Sequence, residues 1–174
     1  MSYFKTMTVY DYLAIGQKGT LSRVWARKGS RPRLKRQQQY KHAYLFGAIC
    51  PGTGQSVGLV MSYANTQAME CHLKEISHYS SKGRHGVVIV DRAAWHTTPK
   101  INVPENLSLL PLPPTAPELN PVEQVWSWLR QHHLSNRVYK GYEDIVNECC
   151  KAWNDLACQP ELVRSIGTRK WAYL

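Results

Sequence analysis

Acidic residues are scarce in this 174-residue chain: 12 Asp and Glu stand against 22 Lys and Arg, and none lies between Asp11 and Glu70. That gap leaves a long segment with a field of one sign, which draws polyanions and repels cations. No apolar run is long enough to cross a bilayer, so no membrane partner is expected. The N-terminus lacks the charged-then-apolar pattern of a secretory leader, and a cytoplasmic location follows. The five cysteines have no paired ligand spacing, which points to reduced thiols and away from a disulfide framework. His132-His133 and Cys149-Cys150 are adjacent pairs; neighbouring helical residues do not face one another, so neither pair suits zinc. No internal repeat or low-complexity tract appears. Only ten residues precede Asp11, too few for a helix-turn-helix ahead of it, so residues 1–174 are expected to form one domain.

What is present is a folded-domain composition, 43% hydrophobic and 20% charged, sufficient for a single core. The acid-free interval holds Lys18, Arg23, Arg27, Lys28, Arg31, Arg33, Lys35, Arg36 and Lys41, interleaved with Trp25 and Tyr40. Local basic density with aromatic residues suggests contact with nucleic-acid phosphates, and Arg27, Lys28, Arg31, Arg33, Lys35 and Arg36 are the candidate DNA-binding residues. A basic surface without a partner, or with an acidic protein, is the bland alternative.

Strand patterns cover residues 8–15, 21–26, 41–50 and 56–63, joined by turns and by a polar basic loop over 27–39. These read as consecutive antiparallel strands. The period then changes: Ala68, Met69, His72, Leu73 and Ile76 recur at helical spacing within 66–79, with Asn65 or Thr66 as cap. Residues 86–90 form a short β-branched run suited to a strand buried on both faces, and 107–112 reads as a second such strand. Helices are expected over 121–133 and 142–157, the latter with Ile145, Val146, Cys149, Trp153 and Leu156 on one stripe, and a short turn of helix over 160–166. The fold class is therefore α/β: a mixed sheet, antiparallel strands first and parallel strands later, flanked by helices.

Three carboxylates stand at informative places. Asp91 ends the apolar run Val87-Val88-Ile89-Val90, where an ionised side chain is costly unless paired or bound to a cation, and strand carboxyl ends gather sites. Its bland role is a turn Asp bonded to the following loop. Glu123 lies three residues after Asn120, with Pro121 between, which is also a capping-box pattern. Asp11, the sole acid in the first 69 residues, sits on a strand with Tyr10 and Tyr12 on the opposite face. Carboxylates suit Mg²⁺, and two divalent ions about 4 Å apart can drive phosphodiester chemistry. His96 could orient a carboxylate or contact the scissile phosphate. Trp126 and Trp128 read as core or rim packing.

Taken together, Asp91-Arg92-Ala93-Ala94-Trp95-His96, the strand Asn106 to Pro114, and Pro117-Glu118-Leu119-Asn120-Pro121-Val122-Glu123-Gln124-Val125-Trp126 resemble the catalytic domain of IS630-type transposases. These belong to the DDE/D superfamily that includes the Tc1/mariner elements. Gly16 to Thr20, Val24 to Gly29 and Asn136 to Tyr139 add to the likeness, which covers about residues 16–170. The resemblance implies an RNase H-like fold. It implies Asp11, Asp91 and Glu123 as the catalytic acids, holding two Mg²⁺ or Mn²⁺ ions. It implies DNA strand cleavage and strand transfer in transposition of an insertion sequence, with transposon ends and target DNA as partners and a nucleoid-associated, cytoplasmic setting. A homodimer is possible. Family members also carry an N-terminal helix-turn-helix region; here an upstream frame could supply a DNA-binding subunit. The alternative is a catalytically inactive nucleic-acid-binding remnant.

Overall fold

The computed structural model describes residues 6–18, 26–31, 33, 35, 37–80, 83–93, 96, 98–114 and 119–168. Strand β1 (Thr6–Gly16) is long and central. It pairs antiparallel with β2 (His42–Cys50), which pairs antiparallel with β3 (Gln55–Met61). On its other side β1 pairs parallel with β4 (Gly86–Val90), and β4 pairs parallel with β5 (Leu107–Pro111). The sheet order is β3-β2-β1-β4-β5, the expected antiparallel-then-parallel mixed sheet.

Alternation along β1 sends Val9, Asp11 and Leu13 to one face and Tyr10 and Tyr12 to the other. Helix α1 (Thr66–Tyr79) covers the Tyr10 face, burying the five positions that the helical spacing singled out. Asn65 caps it, its side-chain oxygen accepting from the Ala68 N–H at 2.9 Å. Helices α2 (Val122–Leu129), α3 (Tyr142–Ala157) and α4 (Pro160–Gly167) cover the opposite face.

Two expectations change. The 107–112 run is not buried on both faces: β5 is the outer strand, its Ser108, Leu110 and Pro111 are exposed, and Leu110 is 54% accessible. Its apolar run resembles that of a central strand because its first residue, Leu107, belongs to the core on the α1 face while Leu112 belongs to the core on the opposite face. The 121–133 helix is α-helical only to Leu129 and continues as a π-helical turn, Arg130–Leu134, closed by Ser135 N–H on the Arg130 carbonyl. Across this junction Trp128 stacks on His132 at 4.6 Å. The expected strand over 21–26 lies outside the described residues apart from Ala26, which is exposed and not in a strand.

Two glycines set the packing between sheet and helices. Gly47 and Gly58 are register partners on β2 and β3. A Cβ on Gly58 would meet the Trp153 indole at 2.5 Å, and one on Gly47 would meet Trp126 and Trp153, both at 2.5 Å. The missing side chains let both indoles lie against the sheet, which is what a glycine inside a strand commonly marks.

Candidate active site

Strands β1 and β4 bring the first two acids together. Their parallel register runs Thr6↔Gly86 to Val9↔Ile89; two residues further along each strand come Asp11 and Asp91. Neighbouring strands lie about 4.8 Å apart, so the two residues emerge side by side where β4 ends.

Asp11 is only 7% exposed. Its Oδ1 accepts from the Tyr12 N–H at 2.7 Å, and its Oδ2 accepts from Asn120 Nδ2 at 3.1 Å and from the Trp126 indole N–H at 3.3 Å. Burial pushes its pKa up to about 7; the Tyr12 N–H opposes this, and the negative charges of Glu123 and Asp91 add to it. Both acids are thus near enough to act on the Asp11 carboxyl.

Asp91 is half-buried. Its Oδ1 accepts from the Ala93 N–H at 2.9 Å and from His96 Nδ1. The His96 hydrogen bond holds Asp91 below the usual carboxylate range, against the opposing effect of burial. A carboxylate oxygen can only accept here, so His96 Nδ1 carries the proton. The His96 ring is buried and meets the Tyr10 ring edge-on at 5.2 Å. Arg92 turns away from Asp91 and donates to the Leu112 carbonyl at 2.8 Å, tying the ends of β4 and β5 together.

Glu123 is exposed in the first turn of α2. The capping box does not form. Asn120 Oδ1 accepts from the Val122 N–H at 3.1 Å and the Asn120 carbonyl accepts from the Glu123 N–H at 3.2 Å, but the Glu123 carboxylate makes no return bond to the Asn120 N–H.

Among the described residues, no three His, Cys, Asp or Glu side chains converge tightly enough to ligate a single ion. A Mg²⁺ ion commonly takes only one or two carboxylates, keeping waters and substrate phosphate for the rest. The chemistry of the donor set is compatible with that mode: three carboxylates, two of which, Asp91 and Glu123, reach solvent.

The basic loop joins β1 to β2 at the end of the sheet toward which β1 and β4 both run. Arg27, Lys28, Arg31, Arg33 and Lys35 are exposed on it, and Arg36 lies outside the described residues. Its return limb is anchored: Gln37 brackets the Tyr139 backbone, accepting from its N–H at 2.7 Å and donating to its carbonyl at 2.6 Å. Gln17 also donates to that carbonyl at 3.0 Å. Lys18 stands over the Tyr40 ring at 5.8 Å.

Two contacts were not legible in advance. Trp126 is core, as expected, but its indole N–H also reaches Asp11. Asn120 caps α2, as expected, but its amide also reaches Asp11. The glycine at position 47, directly opposite Asp11 in the β1–β2 register, was the available signal of a close approach there.

The model of the DDE superfamily endonuclease family matches residues 6–146. The match starts ten residues before the expected likeness, so it takes in β1 and Asp11, and it ends earlier, within α3. An uncharacterized protein of Sinorhizobium fredii (strain NBRC 101917 / NGR234), y4pE/y4sA, is 53% identical over 131 residues, 75% of this chain and 97% of its own length. The fold is similar to that in the crystal structure of the Mos1 mariner paired end complex with Mn, with a TM-score of 0.63 and 13% identity over 94% of this chain. The Mos1 strand transfer complex gives 0.59 and 14% over 97%. The chain spans 56% and 57% of those two Mos1 chains. With the family match running from β1 into α3 and the RNase H-like architecture shared along nearly the whole chain, the protein belongs to the DDE superfamily endonucleases.

Proposed function

We propose that this domain cleaves DNA strands at the ends of an insertion sequence and joins them to target DNA, with Asp11, Asp91 and Glu123 as the catalytic acids. The observation that carries the reading is the juxtaposition of Asp11 and Asp91 on neighbouring parallel strands, with Glu123 close enough to raise the Asp11 pKa. The three acids would hold a pair of Mg²⁺ or Mn²⁺ ions, which supply activation of the attacking oxygen and charge neutralisation at the leaving one.

The remaining roles belong to the chain itself. Asp91 is oriented by His96 and the Ala93 N–H, which keep it ionised. Arg27, Lys28, Arg31, Arg33, Lys35 and Arg36 would bind the phosphate backbone without regard to sequence. In the first reaction, water opens one phosphodiester and leaves a 3′-hydroxyl and a 5′-phosphate. In the second, that hydroxyl attacks a target phosphodiester: one P–O bond forms, one breaks, and a new 3′-hydroxyl leaves. Transposon ends and target DNA are the proposed partners, a homodimer or an upstream-frame DNA-binding subunit the proposed assembly, and the nucleoid the proposed setting. No helix among the described residues is long and apolar enough to cross a membrane.

The test is Asp91→Ala in Mn²⁺- or Mg²⁺-dependent nicking of supercoiled plasmid DNA. Nicking should fall to background while the protein stays folded; undiminished nicking overturns the assignment. An inactive remnant differs by binding duplex DNA with no nicking by the unaltered chain in either ion. Replacing the five described cations of the loop by Gln should flatten the salt dependence of DNA binding, by roughly 0.9 in log–log slope for each phosphate that is no longer neutralised.

A further inference from the structure

We infer that Asn120 and Trp126 are positioning residues for Asp11, fixing its carboxylate so that Oδ1 alone is presented to a divalent cation. The inference rests on the reading of Asp11 as a ligand and goes beyond it.

A carboxylate oxygen offers two lone pairs. On Oδ2 both are taken, by Asn120 Nδ2 and by the Trp126 N–H. On Oδ1 the Tyr12 N–H takes one, and one remains. Three donors from three directions fix rotation about the Asp11 side-chain bonds, so ligation through Oδ1 is monodentate. The donors are themselves fixed. Asn120, 4% exposed, is held by its bonds to the Val122 and Glu123 N–H groups. The same residue thus fixes the start of the helix carrying Glu123 and the carboxylate on β1. Trp126, 1% exposed, lies one turn beyond Glu123. Its indole is aimed by Gly47, where any Cβ would displace the ring. Outer partners of this kind commonly tune metal affinity by 10–100-fold.

The experiment measures Mn²⁺ binding to the full chain by calorimetry, with the thermal midpoint of each metal-free variant alongside. Asn120→Ser keeps a capping oxygen but loses the reach to Asp11; Trp126→Phe keeps an aromatic ring, though a smaller one, and loses the donor. Each should weaken Mn²⁺ binding about 10–100-fold. The midpoint of Asn120→Ser should stay near that of the unaltered protein, whereas a merely structural role would move the midpoint and leave the affinity. Should Trp126→Phe misfold, Asn120→Ser decides alone. Asp11→Asn separates the two levels. If it leaves Mn²⁺ binding intact, or the unaltered chain takes up no Mn²⁺, the proposed function falls. If it weakens binding while Asn120→Ser and Trp126→Phe do not, only the positioning role is overturned.

Discussion

The two faces of the sheet are built from the same local parts and use them differently. On each face a helix is headed by an asparagine, and on each a titratable side chain is buried. On the α1 face, the Asn65 side chain serves its own helix, bonding the Ala68 N–H one turn ahead. His72 sits fully buried, donating from Nε2 to the Val57 carbonyl at 3.1 Å, while its Nδ1 is buried without a hydrogen-bond partner among the described residues. Burial lowers its pKa to about 4, against the opposing Val57 bond, so it stays neutral. On the α2 face, Asn120 caps its helix and also donates to Asp11, whose two oxygens take three donors. The first face stores a neutral polar group inside a core. The second surrounds a carboxylate with donors, which oppose but do not cancel the cost of burying its charge.

The largest expected effect breaks this comparison at Asp11. Its folded pKa of about 7 lies above its ordinary value of 3.8, so the folded protein keeps a proton that the unfolded chain releases between those values. Stability from this group is full below pH 3.8 and is lost as pH rises to 7. A rise from 3.8 to about 7 corresponds to roughly 4 kcal/mol, less the mismatch of an amide facing the Tyr12 N–H. Asp11→Asn should therefore stabilise the metal-free protein by about 2–3 kcal/mol above pH 7, read by denaturant unfolding, while abolishing nicking. His72 has the opposite sign: its stability is present above pH 6.5 and is lost as pH falls toward 4. In the unaltered chain the two slopes oppose one another over pH 4–6.5. In Asp11→Asn the His72 slope is left uncompensated, and acid destabilisation should steepen in that window. A pH profile identical to that of the unaltered protein sinks the account.

The next effect sharpens the comparison at the glycine facing Asp11. Gly47→Ala drives a methyl to 2.5 Å from two indoles. Overpacking of this kind costs about 1–3 kcal/mol, and displacement of Trp126 should weaken Mn²⁺ binding as well. Gly52→Ala, where a Cβ meets nothing within 4 Å, should do neither. Equal unfolding midpoints for the two variants would show that the indoles yield without cost.

How much of this was legible in the sequence depended on the range of the interaction. The helices over 66–79 and 142–157 and the strand over 86–90 could be read to the residue, because periodicity and capping are local. Asp91 could be read because an acid at the end of Val87-Val88-Ile89-Val90 is costly. Asp11 was visible as a lone acid on a strand, but its place beside Asp91 depends on a parallel pairing across 80 residues of chain, which no local pattern encodes. The same holds for Asn120 and Trp126: their local roles as cap and core residue were correct, and their bonds to Asp11 span 109 and 115 residues. Leu107 to Leu112 misled because an apolar run reports that a strand is covered, not by what or on how many sides.

The smallest expected effect concerns the cap that has no second role. Asn65→Ala removes one side-chain bond from the α1 N-terminus, worth about 1 kcal/mol. Helix α1 packs on the face opposite Asp11, and its buried residues Ala68, Met69, Leu73 and Ile76 hold it there without the cap. The loss should therefore appear as a lower unfolding midpoint with Mn²⁺ affinity and nicking rate per folded molecule unchanged. Asn120→Ser should give the reverse pattern, affinity lost and midpoint kept. If Asn65→Ala reduced Mn²⁺ binding as strongly as Asn120→Ser, the acids would be responding to sheet stability as a whole, and the division of labour between the faces would dissolve.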